Sequence, residues 1–353
     1  MKRAVAIAEH ASLLSLKLLA ALNVLFFLSF LAIATLATTR AHAEMPVCSG
    51  SDMLAALRAS DPAAVDRIEK EAHAIPNGQG LLWKLEREGR APSFLFGTMH
   101  MTDPRVTALT PAAQAAFDEA GTVVIETTEV LDQAKMMAAI MKKPELMMFT
   151  DSTTLSSLLS PQDKEAVDAA LNARGIPPAS VAKMKPWMLS AMVALPACEM
   201  ARKAAGAPVL DVKLAEDAKA DGKALAGLET VTSQLEAMAS LPMEFHVKGL
   251  VDTLKLGTRM DDVVETMIVL YKQGETGMFW PLFREVLPND DAAGYAAFEE
   301  TMVTARNRVM VANAEQYLAA GSAFIAVGAM HLPGPEGLVE LFRKAGYTVS
   351  PAG

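Results

Sequence analysis

The sequence predicts an α/β fold, a central mixed, largely parallel sheet with helical insertions, and three observations carry that prediction. Residues 93–100 (SFLFGTMH) and 324–331 (FIAVGAMH) share one grammar: an apolar run too hydrophobic for a surface segment, a small-residue turn, then histidine. Residues 122–126 (TVVIE) and 223–229 (KALAGLE) have the same form with a carboxylate at the end. Helical patterns precede the later runs, and helix then strand after an earlier strand is the rhythm of a parallel βαβ crossover.

Taken in order, residues 51–72 predict one helix, with Met53, Leu54, Leu57 and Val65 near helical spacing, ended by Pro76-Asn77-Gly78. Residues 81–87 and 93–100 flank the turn-rich Glu88-Gly89-Arg90-Ala91-Pro92 and read as a hairpin. Thr110-Pro111 offers an N-cap followed by proline at the first helical position, for a helix running to Ala120 before Gly121. The strand at 122–126 follows directly. Residues 131–206 are helical in pattern with breaks at Pro144, 151–154, 175–178 and Pro186, and read as an insertion. A helix from Asp211 to Ala220 leads into the strand at 223–229, and helical patterns resume to 318, the stretch 242–318 reading as a second insertion. After FIAVGAMH come an amphipathic helix at 338–344 and a terminal strand at 347–350.

Residues 1–43 stand apart. Lys2 and Arg3 lead, an apolar stretch spans 13–36, and Ala41-His42-Ala43 closes it, the pattern of a secretory signal cleaved before Glu44. The apolar part approaches the length of a membrane span, so an uncleaved N-terminal anchor is the alternative and the only membrane attachment expected. Residues 44–353 then form a single domain, exported and periplasmic. The chain carries 32 Lys plus Arg against 41 Asp plus Glu, a formal charge of −9. Losing the leader's four basic residues and one acidic residue leaves −12. No basic run with interleaved aromatics is present, so nucleic acid is not an expected partner. Cys48 and Cys198 are the two cysteines, and two thiols in an oxidising compartment predict one disulfide.

In open α/β sheets, ligands bind beyond the carboxyl ends of the strands, where residues distant in sequence converge. Four runs each deliver one metal-competent side chain to such an edge: His100, Glu126, Glu229 and His331. A lone histidine after a strand is most often hydrogen-bonded packing, but the repeated Gly-x-x-His ending argues for shared use of His100 and His331. Glycine three residues before the histidine lets backbone approach closely and turn sharply. His73 and His246 sit in helical patterns and read as surface or internally satisfied residues. The spacing of a Gly-x-Ser-x-Gly serine elbow is lacking.

GTMH near the start, GKALAGLETVTSQL in the middle and AVGAMHLPGPEGLVELFRKAGY at the end resemble the TraB/GumN family, which includes the Tiki-type metalloproteases. Lys185-Pro186-Trp187 and Arg306-Asn307 are weaker matches, and the resemblance spans most of the chain after the leader. It implies an α/β core related to erythromycin esterase-like and haem-binding ChaN-like proteins. It also implies a metal-dependent hydrolytic site built from the motif histidines, matched here by His100 and His331, and a glutamate, either Glu126 or Glu229.

The expected function is therefore an exported metal-dependent hydrolase, a peptidase among the options, acting on a peptide or small-molecule substrate. A divalent ion of unspecified identity is the expected cofactor, held by His100, His331, Glu126 and Glu229, with one glutamate as ligand and the other as base. Arg306 is the candidate to stabilise oxyanion charge, against the reading of an ordinary salt bridge on a helix. The alternative is a periplasmic haem- or metal-binding protein without turnover.

Overall fold

The computed structural model describes residues 47–286 and 291–353, so the expected signal at 1–43 lies outside the described residues. At the start, the single expected helix is two, Met53–Ser60 and Pro62–Ala74. Pro62 has no N–H to continue the first helix and disfavours helical backbone in the residue before it, so the chain breaks at Asp61. Asp61 then caps the second helix, its side chain accepting from Ala64 N. At Thr110 the expected cap forms as read, accepting from Ala113 N ahead of the helix Pro111–Glu119.

Six strands make one sheet: β1 Leu82–Glu86, β2 Ser93–Thr98, β3 Thr122–Ile125, β4 Ala224–Gly227, β5 Ala323–Gly328 and β6 Thr348–Pro351, in the order β4-β3-β5-β2-β1-β6. Pairing is parallel from β4 through β3 and β5 to β2, and antiparallel on both sides of β1. Five strands therefore point one way, and the sheet is mixed but mostly parallel. The first histidine motif enters through the β1–β2 hairpin, as its turn residues predict.

Both faces of the central strands are buried, which explains their unbroken apolar runs. Phe96, Ile125 and Phe324 face one core, shared with Phe117 and Leu214. Leu95, Val124, Ile325 and Val327 face the other, against Leu338 and Phe342. Side chains alternate faces along each strand, so the register decides what reaches the carboxyl edge. That register sets Thr98 of β2 opposite Gly328 of β5, and Ile125 of β3 opposite Ala326. The residues just past these positions are those singled out in the sequence: His100, Glu126 and His331.

The helical insertions leave from the carboxyl ends of β3 and β4 and share a third core in which Leu155, Leu171 and Leu189 meet Leu250 and Leu254. Cys48 and Cys198 are joined by a disulfide. It fixes the helix Ala197–Ala204, whose Glu199 accepts from the backbone N–H of Thr102 in the loop after β2. Among the described residues no helix is long and apolar enough to cross a membrane.

Candidate functional site

The two Gly-x-x-His glycines are used for close approach, and neither needs a left-handed backbone. A Cβ on Gly97 would meet Leu332 Cδ1 at 2.7 Å and Ala329 Cα at 3.1 Å, so the bare glycine lets β2 lie against the turn that carries His331. Gly328 has φ −51° and a different task. A Cβ built on it would sit 3.3 Å from Glu126 Oε1, 3.5 Å from His331 Cδ2 and 4.0 Å from His100 Nε2. One point thus lies beside a carboxylate and two imidazoles from three different strands, and the missing side chain leaves it open. Distances of 3.5 Å and 4.0 Å from that point keep the His331 and His100 atoms within about 7.5 Å of each other. Among the described residues, no three histidine, cysteine, aspartate or glutamate side chains are drawn together tightly enough to count as a ready metal cluster.

Each imidazole is held through Nδ1. His331 is buried, and its Nδ1 lies 2.6 Å from Asn307 Oδ1. Asn307 donates Nδ2 to the carbonyls of His331 (3.3 Å) and Glu336 (2.8 Å), so Oδ1 must be the atom turned to the ring. Nδ1 of His331 therefore donates, and in the neutral ring Nε2 keeps its lone pair. His100 Nδ1 lies 2.7 Å from Asp211 Oδ2, and Asp211 Oδ1 accepts from Thr98 Oγ1 at 2.5 Å. This arrangement also turns Nε2 of His100 toward the shared point. A histidine anchored through one nitrogen by a carboxylate or amide is oriented to present the other.

The electrostatics separate the three groups. Burial drives the His331 pKa down to about 4, against the pull of Glu126. Its Nε2 lies 3.9 Å from Glu126 Oε1, too long for a hydrogen bond, and at neutral pH the ring is uncharged. Asp211 raises the His100 pKa to about 9. The His100 side chain is 62% exposed against 6% for His331, so solvent reaches the site from the His100 side and screens part of the Asp211 attraction. Burial would push Glu126 up, but His331, His100 and Arg306 outweigh it and bring its pKa down to about 2.

Arg306 stands behind Glu126. Its Nη2 donates to Glu126 Oε2 and to Glu229 Oε2, each at 2.7 Å, its Nε donates to both Glu229 oxygens at 3.1 Å, and its Nη1 donates to Met302 O. Gln234 Nε2 reaches Glu126 Oε2 (2.9 Å) and Glu229 Oε2 (3.3 Å), and Gly328 N donates to Glu126 Oε1 (2.8 Å). Glu126 thus keeps Oε2 in the salt bridge and turns Oε1 toward the imidazoles. Glu229 is gripped by Arg306 through both oxygens. The structure brings His100, His331 and Glu126 together and pairs Glu229 with Arg306 one guanidinium away.

Asp211, Asn307, Thr98 and Gln234 were not singled out for these roles from the sequence, although Thr98, Gln234 and Asn307 lie within the segments that resemble the family. Two of them carried a readable signal. Asp211 shares the buried face of the helix Leu210–Ala220 with Leu214, Ala215 and Ala218, and Asn307 shares that of Ala305–Ala320 with Met310, Ala314 and Leu318. A polar residue on an apolar helical stripe must find a buried partner, and here each partner is a site histidine.

A pH prediction follows from His331. An unfolded histidine binds its proton near pH 6.5, whereas the folded one binds it only near 4, so the folded state is penalised as pH falls through that window. Over the same range Glu126 stays mostly ionised in both states, while His100, protonated when folded but titrating near 6.5 when unfolded, offsets part of the loss between pH 7 and pH 6. Metal-free protein is expected to lose about 2 kcal/mol of unfolding free energy between pH 7 and pH 5 from this group. Denaturant titrations of wild type and His331→Gln at both pH values check it: an equal pH dependence in the two would refute the assignment.

Neither a curated protein nor a solved structure matches this chain. The model of the TraB/PrgY/gumN family matches residues 81–351, from the hairpin that carries the first Gly-x-x-His to the terminal strand. That span contains every residue of the site, and the chain belongs to the TraB/PrgY/gumN family.

Proposed function

We propose that the protein is an exported metal-dependent hydrolase, with a peptide among its substrates, and that His100, His331 and Glu126 hold one divalent ion. The observation that carries this reading is the open point beside Gly328, bordered by two imidazoles and a carboxylate whose other polar atoms are already engaged. The donor set fits: two imidazole nitrogens and one carboxylate oxygen leave coordination positions free for water and substrate. A bound ion would supply Lewis acidity, polarising a carbonyl and lowering the pKa of water.

The chain's own residues do the rest. Asn307 and Asp211 fix the imidazole planes, and Arg306 with Gln234 holds Oε2 of Glu126 so that Oε1 faces the site. The exposed edge at His100 admits substrate and water. In hydrolysis the hydroxyl of water goes to the carbonyl carbon and its proton to the leaving nitrogen or oxygen. Glu126 is the carboxylate nearest to the shared point and the ligand this geometry favours. Glu229 serves Arg306 as counter-ion, and Arg306 acts by positioning Glu126, its Nε and Nη2 donors being taken by Glu126 and Glu229 and one Nη1 hydrogen by Met302 O. The disulfide supports export to an oxidising compartment such as the periplasm.

Elemental analysis of the purified protein, paired with a panel of peptide and ester substrates with and without chelator, tests the proposal. One ion per chain and chelator-sensitive turnover are expected. Metal-free protein that takes up no divalent ion on reconstitution would overturn it.

A further inference from the structure

Beside the site lies a cavity of about 570 Å³, between the carboxyl end of β4, the helix Val231–Ser240 and the stretch 301–313. Its size falls in the range of small-ligand sites. Arg306 and Glu229 form its inner wall. The Nη2 of Arg306 that touches Glu229 Oε2 also touches Glu126 Oε2, so a single guanidinium separates the cavity from the imidazole pair. The cavity and the imidazole site thus share this guanidinium as a common wall.

The lining selects the chemistry of that group. Its one cation, Arg306, is held by Glu229 through three contacts and shared with Glu126, so a further buried anion would find no free counter-ion there. Thr230 and Ser233 spend their hydroxyls on each other in a capping box at the helix start. Ala237 and Val309 supply apolar surface, with the buried Leu228 beside them. Asn313 gives Nδ2 to Leu228 O, and among the described residues its Oδ1 accepts no bond, which suits the N–H of a peptide. Among the described residues no aromatic ring lines the cavity to stack on a sugar or a base.

We infer that this cavity is the specificity subsite of the imidazole site and takes an uncharged, apolar residue of a peptide next to the bond that is cleaved. The inference rests on the hydrolase reading for its purpose, but binding in the cavity is measurable without turnover.

The test is a methyl-detected NMR titration of the purified protein with N-acetyl-leucinamide and, separately, with the charged N-acetyl-aspartamide. Shifts are expected at the Ala237 and Val309 methyls with the leucine probe, with the charged probe binding at least about tenfold more weakly. Val309→Trp should weaken leucine-probe binding by at least about tenfold as well; Val309 is 49% exposed at the rim, so this variant folds without disturbing the core. Ala237→Trp, on the half-buried face of the helix Val231–Ser240, repeats the measurement. Leucine-probe binding should persist in His331→Ala, so loss of the hydrolase reading would leave this result standing. Equal binding of the two probes, no shifts at either methyl, or indifference to both tryptophan variants would overturn the subsite.

Discussion

His331→Ala is expected to lose the bound ion, with affinity falling by more than roughly 100-fold, beyond the 10–100-fold typical of removing an outer partner of a metal ligand. His100→Ala should do the same, because each ring is half of the nitrogen donor set. The stability costs differ. His331 is buried, and its removal leaves Asn307 Oδ1 without its donor, at about 1–3 kcal/mol. His100 is largely exposed, but its loss leaves the buried Asp211 with only the bond from Thr98, so that variant should lose stability through the broken ion pair, reduced by solvent screening at the exposed ring. Metal content after dialysis against buffered zinc, read beside a denaturant curve, separates loss of site from loss of fold. Full metal retention in both folded variants would contradict the shared site. Asp211→Ala and Asn307→Ala, which free the rings without deleting them, should fall in the intermediate 10–100-fold range.

Breaking the disulfide should cost about 3–5 kcal/mol of stability. Cys48 and Cys198 are separated by 150 residues, and cross-linking a loop of that length removes much of the unfolded chain's freedom, about 5 kcal/mol in the chain-entropy model. The effect also has a local address. Cys198 is followed by the fully buried Glu199, which accepts from Thr102 N, and Arg202 of the same helix reaches Asp103 Oδ2 at 3.3 Å. The loop that carries His100 is therefore anchored to the helix that the disulfide fixes. Cys48→Ser, which spares the buried Cys198, is the variant to make. Its unfolding free energy by denaturant titration should drop by the amount stated, and a change under about 0.5 kcal/mol would show that the loop closure contributes nothing.

The sheet was legible in the sequence because its central strands are buried on both faces and so read as unbroken apolar runs, and because two of them end in the same Gly-x-x-His. The β1–β2 hairpin and the Thr110 cap were legible from local turn and capping chemistry. The break at Asp61-Pro62 was also written in the sequence, and the longer helix was read through it because apolar spacing continues across the proline. Within the site, His100, His331 and Glu126 could be named from their places after strands. The pairing of Glu229 with Arg306 could not, because it depends on how the helix Ala305–Ala320 lies against the end of β4. Asp211 and Asn307 were visible only as polar residues on apolar stripes, and which histidine each would hold depends on tertiary packing.

The central claim is that His100, His331 and Glu126 share one ion, and X-ray absorption at the edge of the bound metal tests it most directly. With zinc, two imidazole nitrogens at about 2.0–2.1 Å and carboxylate oxygen at about 2.0–2.2 Å are expected, with one imidazole lost in either histidine variant. A bound ion surrounded by oxygen alone, or one that keeps both imidazoles in His331→Ala, would contradict it.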